Sequence, residues 1–150
     1  MISKTDAGGA CVVDASTALK WVLQEDGSDA AAELLDGRIL HAPALLFTEA
    51  ANALWSAARR GRLTPAEAAD AVDLLMRAPL RQAADEPMLA ARALQLGVLL
   101  DHPVYDCTYL ALAMRHEVPV VTADRRFAQA AGRVPEAAPF VLFLSGTAAH

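Results

Sequence analysis

Short apolar runs, each bounded by turn or helix-cap residues, alternate along this chain with longer stretches of helical pattern. The runs cover residues 10–13, 39–41, 80–84, 118–122 and 140–144. Apolar runs of this length are typical of strands that are buried on both faces. Strands that alternate with helices favour right-handed crossovers and a parallel sheet. We therefore expect an α/β fold with a mostly parallel central sheet covered by helices on both faces.

Cap residues and breakers predict where the intervening helices begin and end. We expect Ser16 or Thr17 to cap the first helix, Ser28 to cap the second, and Gly97 to end the fifth. A capping box at Thr64–Glu67 begins the fourth helix, and Asp124 caps the last one. The predicted helices cover residues 17–23, 29–36, 44–59, 65–77, 87–96, 103–116 and 125–131.

A chain of 150 residues fits one compact domain, and neither a repeat nor a linker divides it. We expect a single domain over 1–150, with frayed polar ends at 1–9 and 145–150.

No apolar stretch is long enough to span a bilayer or to form a signal-peptide core, which predicts a cytoplasmic protein. Apolar residues make up 55% of the chain, which predicts a buried interface such as that of a homodimer. An Ala-rich bias is the alternative explanation.

Four acidic residues are expected to meet at one edge of the sheet. Asp14 directly follows the first strand, and Asp124 follows the strand at 118–122. If those strands are neighbours, both carboxylates emerge at the carboxyl ends of parallel strands, where such sheets bind ligands. Glu49 and Asp106 lie in the first halves of two apolar helices. We expect all four carboxylates to line one cleft.

Each of these acids also has a purely structural interpretation. Asp124 caps a helix, Asp106 complements a helix dipole, and Asp14 closes a turn after a strand. The purely structural interpretation of Glu49 is that its side chain projects from the edge of the molecule. Apolar residues flank both Glu49 and Asp106, however, and a charge in such surroundings is costly unless it is paired or bound to metal. The four acids taken together are a more specific signal for a shared site than any one of them alone.

Carboxylates without cysteine or histidine at ligand spacing suit a hard cation such as Mg²⁺ or Mn²⁺. An ion held in this way activates water and stabilises charge on a phosphodiester during in-line attack. The net charge of the chain is −5, so RNA binding would need a local basic strip in addition to metal ions.

The segments VVDAS, TEAANAL, YDCTYLALA and VTADRRF resemble the four acidic motifs of the PIN-domain family. Their order and spacing are similar to those of VapC-type toxins from bacterial toxin–antitoxin pairs, over residues 12–144. The resemblance implies a Rossmann-like three-layer α/β/α sandwich and a Mg²⁺- or Mn²⁺-dependent endoribonuclease. It also implies a homodimer and a cognate antitoxin that blocks the active site.

Carried over by position, the resemblance assigns Asp14 and Asp106 as the central metal ligands. Glu49 and Asp124 match the other two acids, which bind metal directly or through water. Ser16 and Thr122 match supporting hydroxyl positions, and Asn52 matches a polar position one turn after Glu49. The chain departs from the family pattern in its longer segment before the first strand and in the two arginines that follow Asp124.

Three arginines are candidates for binding RNA. Arg60 follows Glu49 by eleven residues, close to three helical turns, which places them on one face roughly 16 Å apart. The alternative for Arg60 is favourable charge at a helix C-terminus. Arg125 and Arg126 adjoin Asp124. The alternative interpretation of these two arginines is that they are solvated surface residues. His102 precedes a helix and is interpreted as a loop residue, with a catalytic base as the other option.

Two other functions fit an acidic pocket on an α/β fold. A signalling receiver domain would need adjacent acids after the first strand and a lysine after a late strand. Here Ala15 follows Asp14, and residues 118–124 contain no lysine. A PIN-like domain that binds a protein without nuclease activity is the second alternative, and the complete acidic set argues against it.

Overall fold

The computed structural model describes residues 9–84 and 86–146. Apart from residues 9, 145 and 146, the predicted frayed ends lie outside the described residues. Five strands and seven helices follow one another within the described residues, and a short 3₁₀ turn at Ala138–Phe140 precedes the last strand. Their bounds are β1 Cys11–Val13, α1 Ala15–Val22, α2 Ser28–Ala32, β2 Leu40–Ala42, α3 Leu45–Arg59, α4 Pro65–Met76, β3 Leu80–Gln82, α5 Glu86–Leu100, α6 Val104–His116, β4 Val120–Thr122, α7 Arg125–Gly132 and β5 Val141–Phe143.

The described strands form one sheet in the order β3-β2-β1-β4-β5, and every pairing is parallel. The prediction of a mostly parallel sheet is therefore confirmed. β1 lies at the centre, where Val12 is paired with His41 of β2 on one side and with Val120 of β4 on the other. Since β1 and β4 are parallel neighbours, Asp14 and Asp124 leave the sheet at the same edge.

Helices pack on the sheet to give the three-layer α/β/α arrangement. α6 contacts β1, β2 and β4, and α5 packs along α6. Helices α1, α3 and α4 contact one another, and α1 also contacts β4. Every residue of α6 from Cys107 to Ala113 is buried, so the middle of this helix is covered on all sides. None of the described helices has both the length and the hydropathy that crossing a bilayer requires.

Two of the predicted caps are confirmed. Thr64 accepts a hydrogen bond from the backbone N–H of Glu67, and the Glu67 carboxylate accepts one from the N–H of Thr64. Asp124 caps α7 by accepting hydrogen bonds from the N–H groups of Arg126 and Phe127. These caps satisfy N–H groups that have no partner within their own helix.

The caps predicted for the first two helices are wrong. Asp14 caps α1, because its carboxylate accepts a hydrogen bond from the N–H of Thr17. Gly27 is the N-cap of α2, with a left-handed φ of 87°. The hydroxyl of Ser28 instead accepts from the N–H of Glu25 and donates to the carbonyl of Leu23, closing the loop before the helix. α2 also ends at residue 32, four residues earlier than predicted.

Gly97 does not end α5, which continues to Leu100 and stops where Asp101 adopts a φ of 52°. The glycine is needed for packing. A Cβ atom at position 97 would lie 3.0 Å from the carbonyl oxygen of His102 and 3.5 Å from the side chain of Val104. The absence of a side chain thus allows the α5–α6 connection to fold back closely against α5.

We expect Gly97→Val to lower the free energy of unfolding by roughly 1–3 kcal/mol, because the branched side chain would collide with the carbonyl of His102. The matched control is Gly132→Val in α7, where a Cβ meets nothing within 4 Å. Chemical denaturation of both variants gives the comparison. Equal stabilities for the two variants would show that the close approach at Gly97 is not a constraint.

Candidate active site

A pocket of about 240 Å³ opens at the edge of the sheet where β1 and β4 end. All four acids singled out in the sequence line it, and each comes from a different part of the fold: the residue after β1, α3, α6 and the turn before α7. The residues lining it are Asp14, Ala15, Ser16, Leu19, Glu49, Ala53, Asp106, Tyr109 and Asp124. The expectation that the four carboxylates converge on one cleft is thus met by their positions.

Asp14 is the most deeply buried of the four, with 3% of its surface exposed. Its Oδ1 accepts hydrogen bonds from the hydroxyl of Ser16 at 2.7 Å and from the N–H of Thr17 at 3.0 Å. Burial raises the pKa of Asp14 to about 6, although hydrogen bonds from Thr122, Ser16 and Thr17 oppose the rise. Charge on Asp14 is therefore costly in the absence of a cation.

Asp106 and Glu49 each have a side-chain partner. Nε2 of His102 lies 2.6 Å from Oδ2 of Asp106, one helical turn away in the chain. The phenol of Tyr109 donates a hydrogen bond to Oε1 of Glu49. Burial raises the pKa of both acids above the ordinary range, and the hydrogen bonds from His102 and Tyr109 act in the opposite direction.

Two hydroxyls connect the Asp14 and Asp124 sides of the pocket. Ser16 donates to Asp14 and accepts from the N–H of Ala123 at 3.0 Å. Thr122 is fully buried and accepts from the N–H of Asp124, also at 3.0 Å. The two hydroxyl oxygens lie 3.5 Å apart. The end of β1 and the end of β4 are thereby held in one hydrogen-bonded network.

This geometry agrees with the comparisons to known proteins. The family model for the PIN domain matches residues 11–133, which includes all four acids. The chain belongs to the PIN-domain family. Ribonuclease VapC12 from two strains of Mycobacterium tuberculosis (CDC 1551 and H37Rv) is 34% identical over 125 residues, covering 83% of this chain and 95% of the relative. The family resemblance drawn from the sequence is thus confirmed.

Solved structures share this fold. PAE2754 from Pyrobaculum aerophilum superposes with a TM-score of 0.66 at 23% identity, over 90% of this chain and 92% of that one. VapC20 from M. tuberculosis superposes with a TM-score of 0.61 at 16% identity, over 80% of this chain and 94% of that one. VapBC2 from Rickettsia felis superposes with a TM-score of 0.59 at 9% identity, over 89% of this chain and 98% of that one. At these identities the likeness supports the fold of this PIN domain.

The remaining predicted site residues lie outside the pocket. Asn52 is exposed on α3, and Ala53 lines the pocket next to it. Arg60 is exposed just after the end of α3. Arg125 is half-buried with its guanidinium 4.7 Å from the centre of the Phe143 ring, and Arg126 is exposed. None of these three arginines of the PIN domain therefore lines the pocket.

Sequence reasoning missed two partners of the acids in this PIN domain. Tyr109 counts in the sequence only as an apolar neighbour of Asp106, and His102 was interpreted as a loop residue. The signal for Tyr109 is helical spacing, since residues three or four apart in a helix share a face. His102 lies before Pro103, the N-cap of α6, so its signal is only its nearness to Asp106 in the chain. His102 precedes Asp106 by four residues and Tyr109 follows it by three. The bond from Tyr109 to Glu49, sixty residues away, has no local signal.

The donor set of this PIN domain fits a hard divalent cation. The pocket acids offer carboxylate oxygens, and VapC-type PIN ribonucleases depend in general on divalent metal ions. Within residues 9–84 and 86–146, no three acidic, histidine or cysteine side chains lie close enough together to ligate one ion jointly. Mg²⁺ retains several waters and usually binds through one or two carboxylates, so a partly hydrated ion suits a pocket of this size.

The buried charge of Asp14 gives a pH-dependent stability that can be tested in EDTA. Because the pKa of Asp14 is raised to about 6 in the folded state, protonation favours folding. That stabilisation is complete below about pH 4 and is lost as the pH rises through about 6. The Asp14→Asn variant carries no charge at this position and keeps a side chain that can cap α1. We expect its free energy of unfolding at pH 8 to exceed that of the wild type by up to about 3 kcal/mol.

The difference between Asp14→Asn and the wild type should become small near pH 4, where the aspartate is protonated in the folded state and about half protonated in the unfolded state. Urea denaturation across pH 4–8 measures it. The matched control is Asp101→Asn, a change at an exposed acid outside the pocket. A difference that stays constant over this pH range would contradict the assignment of a raised pKa to Asp14.

Proposed function

We propose that this chain, acting as one PIN-like domain over residues 1–150, is a metal-dependent endoribonuclease and the toxin of a toxin–antitoxin pair. The observation that carries the proposal is the convergence of Asp14, Glu49, Asp106 and Asp124 on one pocket. Similarity to Ribonuclease VapC12 supports the reaction class. VapC20, which shares the fold, is a toxin that cleaves the sarcin–ricin loop. The reaction is hydrolysis of RNA phosphodiester bonds.

The proposed cofactor is Mg²⁺, with Mn²⁺ as the substitute. Asp14 and Asp106 are the central ligands, and Glu49 and Asp124 bind the metal directly or through water. When bound, the metal would activate a water molecule and stabilise charge on the phosphodiester. Ser16 and Thr122 hold the Asp14 and Asp124 sides of the pocket in register, since their hydroxyls join the ends of β1 and β4.

The four carboxylates repel an RNA phosphate unless positive charge lies nearby. Arg60, Arg125 and Arg126 are the proposed sources of that charge within the protein. Arg125 is the most restrained of them, because its guanidinium packs over the ring of Phe143 beside the Asp124 turn. These arginines would contact the RNA backbone on either side of the pocket, giving affinity that falls with added salt.

The proposed partners are an RNA substrate, a cognate antitoxin and a second copy of the chain. VapBC2 from R. felis was crystallised with a DNA fragment from its promoter, and similarity to this complex supports an antitoxin. An RNA-cleaving toxin acts where cellular RNA is found, which is the basis for proposing a cytoplasmic location.

A homodimer is supported by an apolar surface along α5 and the start of α6. Leu94 and Val98 of α5 and Val104 of α6 are exposed and lie along one shallow groove. An apolar group of this kind is a common feature of subunit interfaces. The Ala-rich composition alone does not account for it, since large side chains form the surface.

Activity can be tested with Asp14→Asn and Asp106→Asn on an RNA that contains unpaired loops, with Mg²⁺ and with EDTA. We expect each variant to lower kcat/KM about a hundredfold or more, because several kcal/mol of transition-state stabilisation depend on the ion. Asp101→Asn is the matched control on the exposed turn before α6. Equal cleavage by wild type and both pocket variants, or cleavage that persists in EDTA, would overturn the assignment of the reaction to a metal ion in this pocket. Absence of cleavage by the wild type with Mg²⁺ would favour a binding module without nuclease activity.

The dimer can be tested with Val98→Asp. Val98 is 77% exposed, so the substitution should leave the fold intact and place a charge in the proposed interface. We expect the wild type to have the mass of a dimer in light scattering and Val98→Asp to have that of a monomer. Leu74→Asp, at an exposed apolar residue of α4, is the control. A dimer that survives Val98→Asp but not Leu74→Asp would assign the interface to α4.

A further inference from the structure

Tyr109 forms a buried wall of the pocket. Its side chain is 0% exposed and among the largest fully buried ones in the described residues, yet it lines the pocket together with the four acids. It lies on α6 three residues after Asp106, so the two side chains project from the same face of the helix. A buried tyrosine hydroxyl needs a hydrogen-bond partner, and the partner here is one of the pocket acids.

The hydroxyl of Tyr109 donates to Oε1 of Glu49 over a distance of 2.5 Å. The bond joins α6 to α3, two helices that each contribute an acid to the pocket. The terminal torsion of a glutamate is broad when nothing restrains it. With Oε1 fixed by the phenol, the orientation of the carboxylate is set and Oε2 is left for the pocket.

Glu49 differs from Asp14 and Asp124 in how it is held. Asp14 and Asp124 accept hydrogen bonds from backbone N–H groups at the starts of α1 and α7, so the main chain itself fixes their carboxylates. Glu49 lies within a helix, where backbone N–H groups are used by the helix, and its side chain is one methylene longer than that of aspartate. A donor from another helix therefore takes the place of a backbone cap.

We propose that Tyr109 is a positioning residue for Glu49, which fixes one carboxylate oxygen so that the other stays directed at the cation. The inference rests on the proposed metal-dependent function. Tyr109 neither binds the ion nor takes part in the reaction. Hydrogen-bond partners of this kind commonly change metal affinity 10- to 100-fold when they are removed.

The test compares Tyr109→Phe, which removes the hydroxyl and keeps the ring, with Tyr105→Phe. Tyr105 lies one turn earlier on the same helix, is 64% exposed and is outside the pocket. Calorimetric titration of the full chain with Mn²⁺ should give a dissociation constant roughly tenfold higher or more for Tyr109→Phe and an unchanged one for Tyr105→Phe. In cleavage assays, the Mn²⁺ concentration for half-maximal activity should rise, while KM for RNA at saturating Mn²⁺ should stay the same.

A double-mutant cycle separates positioning from packing. If Tyr109 acts through Glu49, then Tyr109→Phe should have no further effect on Mn²⁺ affinity in a Glu49→Ala background. Additive losses would mean that Tyr109 only supports the core, and they would overturn the positioning role. Equal Mn²⁺ affinity in Tyr109→Phe and wild type would overturn it as well, with the proposed function intact. A wild-type chain that binds no Mn²⁺ would overturn the metal site itself, and the positioning role with it.

Discussion

The parallel pairing of β1 with β4 is the interaction on which the site depends. It joins segments more than one hundred residues apart, with Val12 opposite Val120 and Val13 opposite Val121. Both strands are fully buried, so burial of their side chains and the ladder of hydrogen bonds stabilise the pairing together. A shift in this register would separate Asp14 from Asp124 and break the contacts that Ser16 and Thr122 make between the two strand ends. The apolar core thus fixes the geometry of the most polar part of the molecule.

The pocket brings together carboxylates that are unfavourable neighbours, and the fold compensates each of them separately. Asp14 and Asp124 receive backbone N–H groups, Asp106 receives the imidazole of His102, and Glu49 receives the phenol of Tyr109. These donors offset only part of the cost of burial, since the pKa values of Asp14, Glu49 and Asp106 remain raised. Binding of a divalent cation would remove the remaining cost, so the metal-free pocket keeps an electrostatic penalty even though each of its four carboxylates accepts a hydrogen bond.

Local patterns in the sequence were sufficient for the strands, the longer helices and the acidic set. Apolar runs and cap signals are properties of a few adjacent residues, and the handedness rules favour a parallel sheet. The strand order itself was not predicted, because it depends on pairings between segments far apart in the chain. The errors arose where several residues offered the same local signal, as at the cap of α1, or where packing decides the outcome. Gly97 has the local character of a helix stop, but the approach of the His102 carbonyl accounts for it. Asn52 has the spacing of a site residue, but α3 turns Ala53 to the pocket instead.

The buried middle of α6 links the site to the most protected part of the protein. Seven consecutive residues, from 107 to 113, have no solvent-exposed face, and Asp106 directly precedes them. Segments with this degree of burial exchange their amide hydrogens only when the whole domain unfolds, whereas exposed loops open locally and often. Asp106 lies at the edge of this protected segment, so its backbone is joined directly to the part of the chain that opens last.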